Sequence, residues 1–254
     1  MAKEERTAVA GGGRKTRRVL LLHLLILALL LGGCLWYLES YYHADTAAIA
    51  AFTEGLDVQE STLADGSLCF GTGNEAVGLI FYPGGKVEHC AYAPLMRELA
   101  AHGVFCVLCR MPFRLAVFDE SAAEDVRAAF PDVARWYLCG HSLGGTVAAS
   151  YLTRHAEDYE GLILLASYST SDLSASGLRA LCIRGSEDGV LNQSRYEKNL
   201  SNLPADTEEV VISGGCHAYF GMYGPQRGDG TPSITNESQL RQTAEAILDW
   251  LRAA

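Results

Sequence analysis

Residues 134–145 read Ala134-Arg-Trp-Tyr-Leu-Cys-Gly-His-Ser-Leu-Gly-Gly145. The first half is an apolar run with strand character. The second half is a Gly-x-Ser-x-Gly pattern, followed by the small, helix-compatible stretch Thr146-Val-Ala-Ala-Ser-Tyr-Leu152. This order predicts a buried strand over 134–139, a sharp turn at Ser142 and a helix over 143–155. Glycine is needed on both sides of such a turn because the chain doubles back against its neighbours. The turn would expose the Ser142 hydroxyl at the carboxyl end of a sheet and aim the Leu143 N–H at whatever Ser142 attacks.

Apolar runs and helical patterns alternate on either side of this stretch. Strands are predicted at 77–82, 104–109, 161–166, 178–183 and 209–212, and helices at 91–102, 121–130, 193–200 and 238–251. The strands are apolar on both faces and the helices lie between them. That is the signature of an α/β fold with a mostly parallel sheet flanked by helices. Only about a dozen residues separate the strand ending at Ala166 from the next, near Leu178. That leaves no room for a large lid and predicts an open site.

A serine hydroxyl needs a base to take its proton and a carboxylate to orient the base. Of seven histidines, His217 follows the last predicted strand through Ser213-Gly-Gly-Cys216, a loop able to reach over the sheet. His23 lies in an apolar stretch, His43 in a neck, and His89 and His102 flank the 91–102 helix. His141 is beside Ser142 and points elsewhere, and His155 is far from the strand ends. The acid is expected between serine and histidine in chain order. Asp188, in Arg184-Gly-Ser-Glu-Asp-Gly189, directly follows a strand at the sheet's carboxyl edge, where sites form in open α/β folds. Asp172 is the alternative. The oxyanion needs a second donor besides Leu143, expected from Pro83-Gly-Gly-Lys86: the N–H of Lys86, or that of Gly85.

The amino-terminal part has a different character. Val19 to Leu38 is 20 residues without Asp, Glu, Lys or Arg, the length of a bilayer-spanning helix. Lys3, Arg6, Arg14, Lys15, Arg17 and Arg18 precede it, against Glu4 and Glu5. Such a bias holds the amino terminus in the cytoplasm and puts the body outside, as a single-pass protein of the cell membrane. Trp36, Tyr37, Tyr41 and Tyr42 fall where an interfacial aromatic belt would sit. A lipoprotein cleaved and lipidated at Cys34, within Leu31-Gly-Gly-Cys34, is the rival reading, and a cleaved signal peptide is a third. The expected organisation is a basic, disordered tail at 1–18, an anchor at 19–38, a helical neck at 39–60 and a catalytic domain at 61–254.

The net charge is −10 although six of the basic residues lie in the tail, so the body is strongly acidic. That argues against nucleic acid as a partner. The spacing of the eight cysteines does not resemble a zinc site, and no metal is expected. Cys106-Val-Leu-Cys109 lies on a predicted strand, where residues three apart face opposite sides, so a redox pair is not expected. The oligomeric state stays open.

In the order Ser142, Asp188, His217, the elbow, the Gly-Ser-Glu-Asp loop and the Gly-Gly-Cys-His loop resemble the alpha/beta-hydrolase superfamily over about residues 65–254. Tyr82-Pro-Gly-Gly-Lys86 and His217-Ala-Tyr-Phe-Gly221 look like the small, lidless dienelactone-hydrolase-like group. Pro83-Gly84 replaces the usual His-Gly of the oxyanion loop. The resemblance implies a serine hydrolase of the carboxylic ester type, acting on a small-molecule acyl substrate through an acyl-enzyme without a cofactor. An acyltransferase on the same triad and a non-catalytic binding protein on the same fold are the alternatives.

Overall fold

The computed structural model describes residues 12–253, with side chains from residue 16 on. The chain divides into two units, 1–40 and 41–254. Within the first, α1 spans Gly12–Glu39. Its 24 residues Thr16–Glu39 include an 18-residue stretch with a mean hydropathy of 2.6. At about 1.5 Å per residue these reach about 36 Å, enough to cross a hydrocarbon core of about 30 Å. The lone polar ring of the apolar stretch is satisfied within the helix, His23 Nδ1 lying 2.7 Å from Val19 O. Residues 12–18 are helical rather than irregular, and the rest of the expected disordered tail lies outside the described residues.

The second unit is built on strands β1 (Glu60–Thr62), β2 (Leu68–Phe70), β3 (Val77–Tyr82), β4 (Phe105–Leu108), β5 (Arg135–His141), β6 (Gly161–Leu165), β7 (Arg179–Gly185) and β8 (Thr207–Ile212). Its helices are α2 (Thr46–Phe52), α3 (Ala93–Ala101), α4 (Ala122–Ala129), α5 (Leu143–Leu152), α6 (Gln193–Asn199) and α7 (Asn236–Arg252). One eight-stranded sheet has the order β1-β2-β4-β3-β5-β6-β7-β8. Strands β4, β3, β5, β6, β7 and β8 are parallel, and β1 and β2 add antiparallel at one edge. Both are three residues long, and β1, exposed throughout, was not foreseen because no hydrophobic period marks it.

The parallel strands are buried on both faces because helices cover both. Tyr137 and Cys139 of β5 enter the layer shared with Leu95, Met96 and Leu99 of α3 and Leu240, Ala244 and Ile247 of α7. Trp136 and Leu138 enter the opposite layer with Val126 of α4, Val147, Ala148 and Leu152 of α5 and Tyr196 of α6. Each fully buried Leu or Ile in these layers contributes about 1.5–3 kcal/mol over exposure. Cys106 and Cys109 lie in different layers, both buried, as the strand period requires. All seven cysteines of this unit are free thiols. The stretch read as a neck belongs to the unit from Tyr41 on. Asp45 caps α2 by accepting from Ala48 N at 3.0 Å, and Phe52 joins the core.

The elbow depends on two glycines. A Cβ on Gly140 would lie 2.5 Å from the Gly144 carbonyl carbon, and one on Gly144 would run into the carbonyl oxygens of Tyr82 and Pro83. Both obstacles are backbone, so neither can swing aside. Gly144→Ala is therefore expected to destabilise the fold by about 1–3 kcal/mol or more, read as a lowered thermal midpoint. An unchanged midpoint would mean that α5 does not press against the end of β3 as described.

Candidate active site

The site forms where β3, β5, β6, β7 and β8 end. Ser142 stands between β5 and α5 with φ 52° and ψ −120°, a left-handed conformation that a non-glycine residue adopts only under constraint. Its neighbours supply that constraint. Ser142 N donates to Leu165 O at 2.9 Å. The Ser142 carbonyl accepts from Ser167 Oγ at 2.6 Å and from Thr146 N at 3.2 Å. As the first residue of α5, Leu143 has an N–H with no intrahelical acceptor.

His217 and Asp188 meet although 29 positions separate them, His217 Nδ1 lying 2.9 Å from Asp188 Oδ2. Their side chains are only 2% and 3% exposed. Asp188 Oδ1 accepts from Val190 N at 2.9 Å and Leu191 N at 2.7 Å, which fixes the carboxylate. His217 Nε2 is buried without a hydrogen-bond partner in the resting chain. A pocket of about 110 Å³ is lined by Ser142 and His217 together with Leu143, Ala166, Tyr168 and Leu191. Asp172 lies elsewhere: its exposed carboxylate accepts from Ser174 N and Ser174 Oγ at 2.9 and 2.7 Å.

The loop after β3 differs in detail from expectation. Lys86 has a φ of 60°, and its N–H already donates to Arg114 O at 2.8 Å. The preferred second donor is thereby engaged. Gly85, the alternative, lies against the elbow: a Cβ there would sit 2.9 Å from Leu143 Cδ2.

Three supporting residues escaped the sequence reading. Tyr92 Oη accepts from Gly84 N at 3.1 Å and lies 2.8 Å from His141 Nδ1, tying the loop after β3 to the end of β5. His141 is turned away from the pocket, yet its ring lies 4.6 Å from that of His217. Burial and the charge His217 would carry hold the His141 pKa well below its ordinary value. His141 therefore stays neutral. Ser167, after β6, holds the Ser142 carbonyl as described.

Asp229 is the third. Its Oδ1 accepts from His217 N and Gly189 N at 3.1 Å and its Oδ2 from Ala218 N at 2.8 Å, joining the histidine loop to the aspartate loop. Burial alone would raise its pKa, but the N–H groups of Ala218, Gly189 and His217 together lower it. A depressed carboxylate pKa adds stability above the unfolded-state value, and that stability is lost as pH falls through the folded-state value. Asp229→Ala should cost about 1–3 kcal/mol by orphaning these donors, and should flatten the acid limb of a pH–stability curve. An unaltered acid limb would refute this role. Nothing in the sequence but a Gly-Asp-Gly turn marks Asp229, because its partners lie in loops distant along the chain.

Comparison with known proteins bears on the fold and the family. No curated protein sequence matches the chain. Among solved structures, a dienelactone hydrolase from Anabaena variabilis aligns at 13% identity and a TM-score of 0.57, over 76% of this chain and 98% of its own. A thermophilic esterase from Thermogutta terrifontis aligns at 12% identity and a TM-score of 0.55, over 78% and 98%. The thioesterase domain from the curacin biosynthetic pathway gives 12% identity and 0.56, over 76% and 99%. At such identities the likeness is one of fold. The model of the alpha/beta hydrolase family matches residues 78–241, from β3 through the elbow and both loops into α7, and the chain belongs to that family.

Proposed function

We propose that this hydrolase is a membrane-anchored serine hydrolase working outside the cytoplasm, and that it cleaves a carboxylic ester or related acyl bond with Ser142, His217 and Asp188. The observation that carries the reading is the buried His217–Asp188 pair at 2.9 Å, with the unpartnered His217 Nε2 in the pocket that Ser142 lines. With Nδ1 facing a carboxylate, the ring keeps its proton there and presents Nε2 as a base.

The chemistry runs in two halves. His217 Nε2 takes the Ser142 hydroxyl proton as Oγ bonds to the acyl carbon. The carbonyl oxygen becomes an oxyanion facing the N–H groups of Leu143 and Gly85. Asp188 stabilises the imidazolium. The intermediate collapses, the bond to the leaving alcohol breaks, and that alcohol takes the proton from His217. Water then attacks the acyl-enzyme, giving its proton to Nε2. Collapse releases the carboxylic acid and returns the proton to Ser142 Oγ. The short, lidless connection between β6 and β7 leaves the pocket open.

A fluorophosphonate probe tests the nucleophile: it should add to Ser142 in the wild-type chain, located by peptide mass, and should not label Ser142→Ala. Modification at another serine would overturn the assignment. Topology is tested separately. The six basic residues before the apolar stretch at 19–38 favour an amino terminus inside. Protease added to right-side-out vesicles should digest residues 41–254 and spare a short amino-terminal fragment. Protection of the whole chain would refute the orientation.

A further inference from the structure

The connection from β4 to α4 is built unlike the rest of the surface. Outside α1, the large apolar side chains exposed among the described residues are Phe113 (51%), Val117 (55%), Phe118 (57%) and Val211 (47%). Three of these four belong to one loop. Phe113 and Phe118 pack edge to face at 5.6 Å, making one ridge. Two successive non-glycine residues on the loop, Phe113 and Arg114, have φ of 52° and 60°. Backbone strain of this kind persists where the surroundings hold it and often accompanies function.

This loop touches the catalytic rim on one side and the start of the globular unit on the other. Toward the rim, Arg114 O accepts from Lys86 N, and Leu115 Cδ2 lies 3.5 Å from where a Cβ on Gly85 would sit. Toward the start of the unit, the Arg114 guanidinium lies 3.5 Å from the centre of the Tyr41 ring. Tyr42 N donates to Lys86 O at 2.8 Å, and Glu88 N donates to Tyr42 O at 2.9 Å. Ser40 alone separates Tyr41 from Glu39, the last residue of the apolar span. Two residues reach at most about 7 Å, so a membrane crossed by that span has its surface near Tyr41 and hence near this loop.

We infer that the Phe113–Val117–Phe118 ridge docks on the lipid surface, and that the ester reaching Ser142 is a lipid of that same membrane. This rests on the anchored-hydrolase reading above. Size favours lipid over a protein partner. Half the surface of two Phe and one Val is roughly 300 Å², against about 1,000 Å² for a specific protein interface. A ridge that small is enough to orient a body already tethered to the bilayer, because tethering makes the docking intramolecular. A water-soluble substrate would give no reason to hold aromatic side chains in solvent beside the oxyanion loop.

The test uses the full chain in vesicles of phosphatidylcholine and phosphatidylglycerol. One substrate is dissolved in the buffer, 4-nitrophenyl acetate, and the other is embedded in the vesicles, 4-methylumbelliferyl oleate. The variant is Phe113→Asn with Phe118→Ser; asparagine suits the left-handed backbone at 113. Hydrolysis of the embedded ester should fall at least about tenfold, while the soluble ester should be cleaved within about twofold of wild type. Equal losses on both, or no loss on the embedded ester, would overturn the inference. Cleavage of the soluble ester alone by the wild type would overturn it too, leaving the hydrolase reading intact. If Ser142→Ala still cleaves the soluble ester, the hydrolase reading is what fails. Docking also has a readout free of activity. Phe113→Trp in a Trp36→Phe background should be quenched by brominated lipids, since the other tryptophans, Trp136 and Trp250, are 5% and 3% exposed. Absence of lipid quenching would remove the docking surface even for an inert enzyme.

Discussion

Ser142→Ala should lower hydrolysis of an activated ester by about four to six orders of magnitude, leaving the thermal midpoint nearly unchanged. In the proposed mechanism the Ser142 hydroxyl forms the acyl-enzyme, and the other serine and threonine hydroxyls lining the pocket, Ser167 and Thr146, are engaged with the Ser142 and Tyr168 carbonyls. What survives is the contribution of the oxyanion donors and substrate binding, which is small beside that of the complete triad. Stability is spared because the constraint on the elbow comes from its backbone. Ser142 N still donates to Leu165 O, and Ser167 Oγ still donates to the Ser142 carbonyl. Retention of more than about a tenth of the wild-type rate would sink the assignment.

Asp188→Asn is expected to lower turnover by about 10⁴, whereas Asp172→Asn should leave it within about twofold. In the proposed mechanism the carboxylate keeps the His217 proton on Nδ1 and stabilises the imidazolium formed during attack. An amide cannot do the second, and it can present its NH₂ to the ring and reverse the tautomer. The Val190 and Leu191 amides that bind Asp188 Oδ1 would hold the amide oxygen, which turns that NH₂ toward His217. Asp172 caps its own turn through Ser174 and has no part in this. Steady-state kinetics of both variants on one soluble ester decides between them. A larger loss in Asp172→Asn would move the acid to the loop after β6.

The sequence by itself determined the elements that are long, periodic or stereochemically demanding. The apolar strands at 77–82, 161–166 and 178–183 and the amphipathic terminal helix are legible because burial on a face imposes a period. The elbow is legible because a turn this tight admits little but glycine at 140 and 144. Chain order and loop position singled out Asp188 and His217. The apolar stretch of α1 is legible as a span from its length and its lack of charge.

Tertiary structure alone decided what depends on residues far apart in the chain. That Lys86 N is taken by Arg114 O, leaving Gly85 at the elbow, follows from packing the 112–118 loop against the loop after β3. The Gly84–Tyr92–His141 link and the Asp229 staple join groups with no sequence pattern in common. Strand β2 is held by pairing with β4, and β1 by pairing with β2, rather than by a hydrophobic period of their own. The Arg110–Phe118 segment, apolar in sequence, could have been a buried crossover. Only the folded chain shows Ala116 inside, with Phe113, Val117 and Phe118 turned out beside the catalytic rim. Periodicity reports that a residue is apolar. Which apolar residues find a neighbour is settled when distant segments pack.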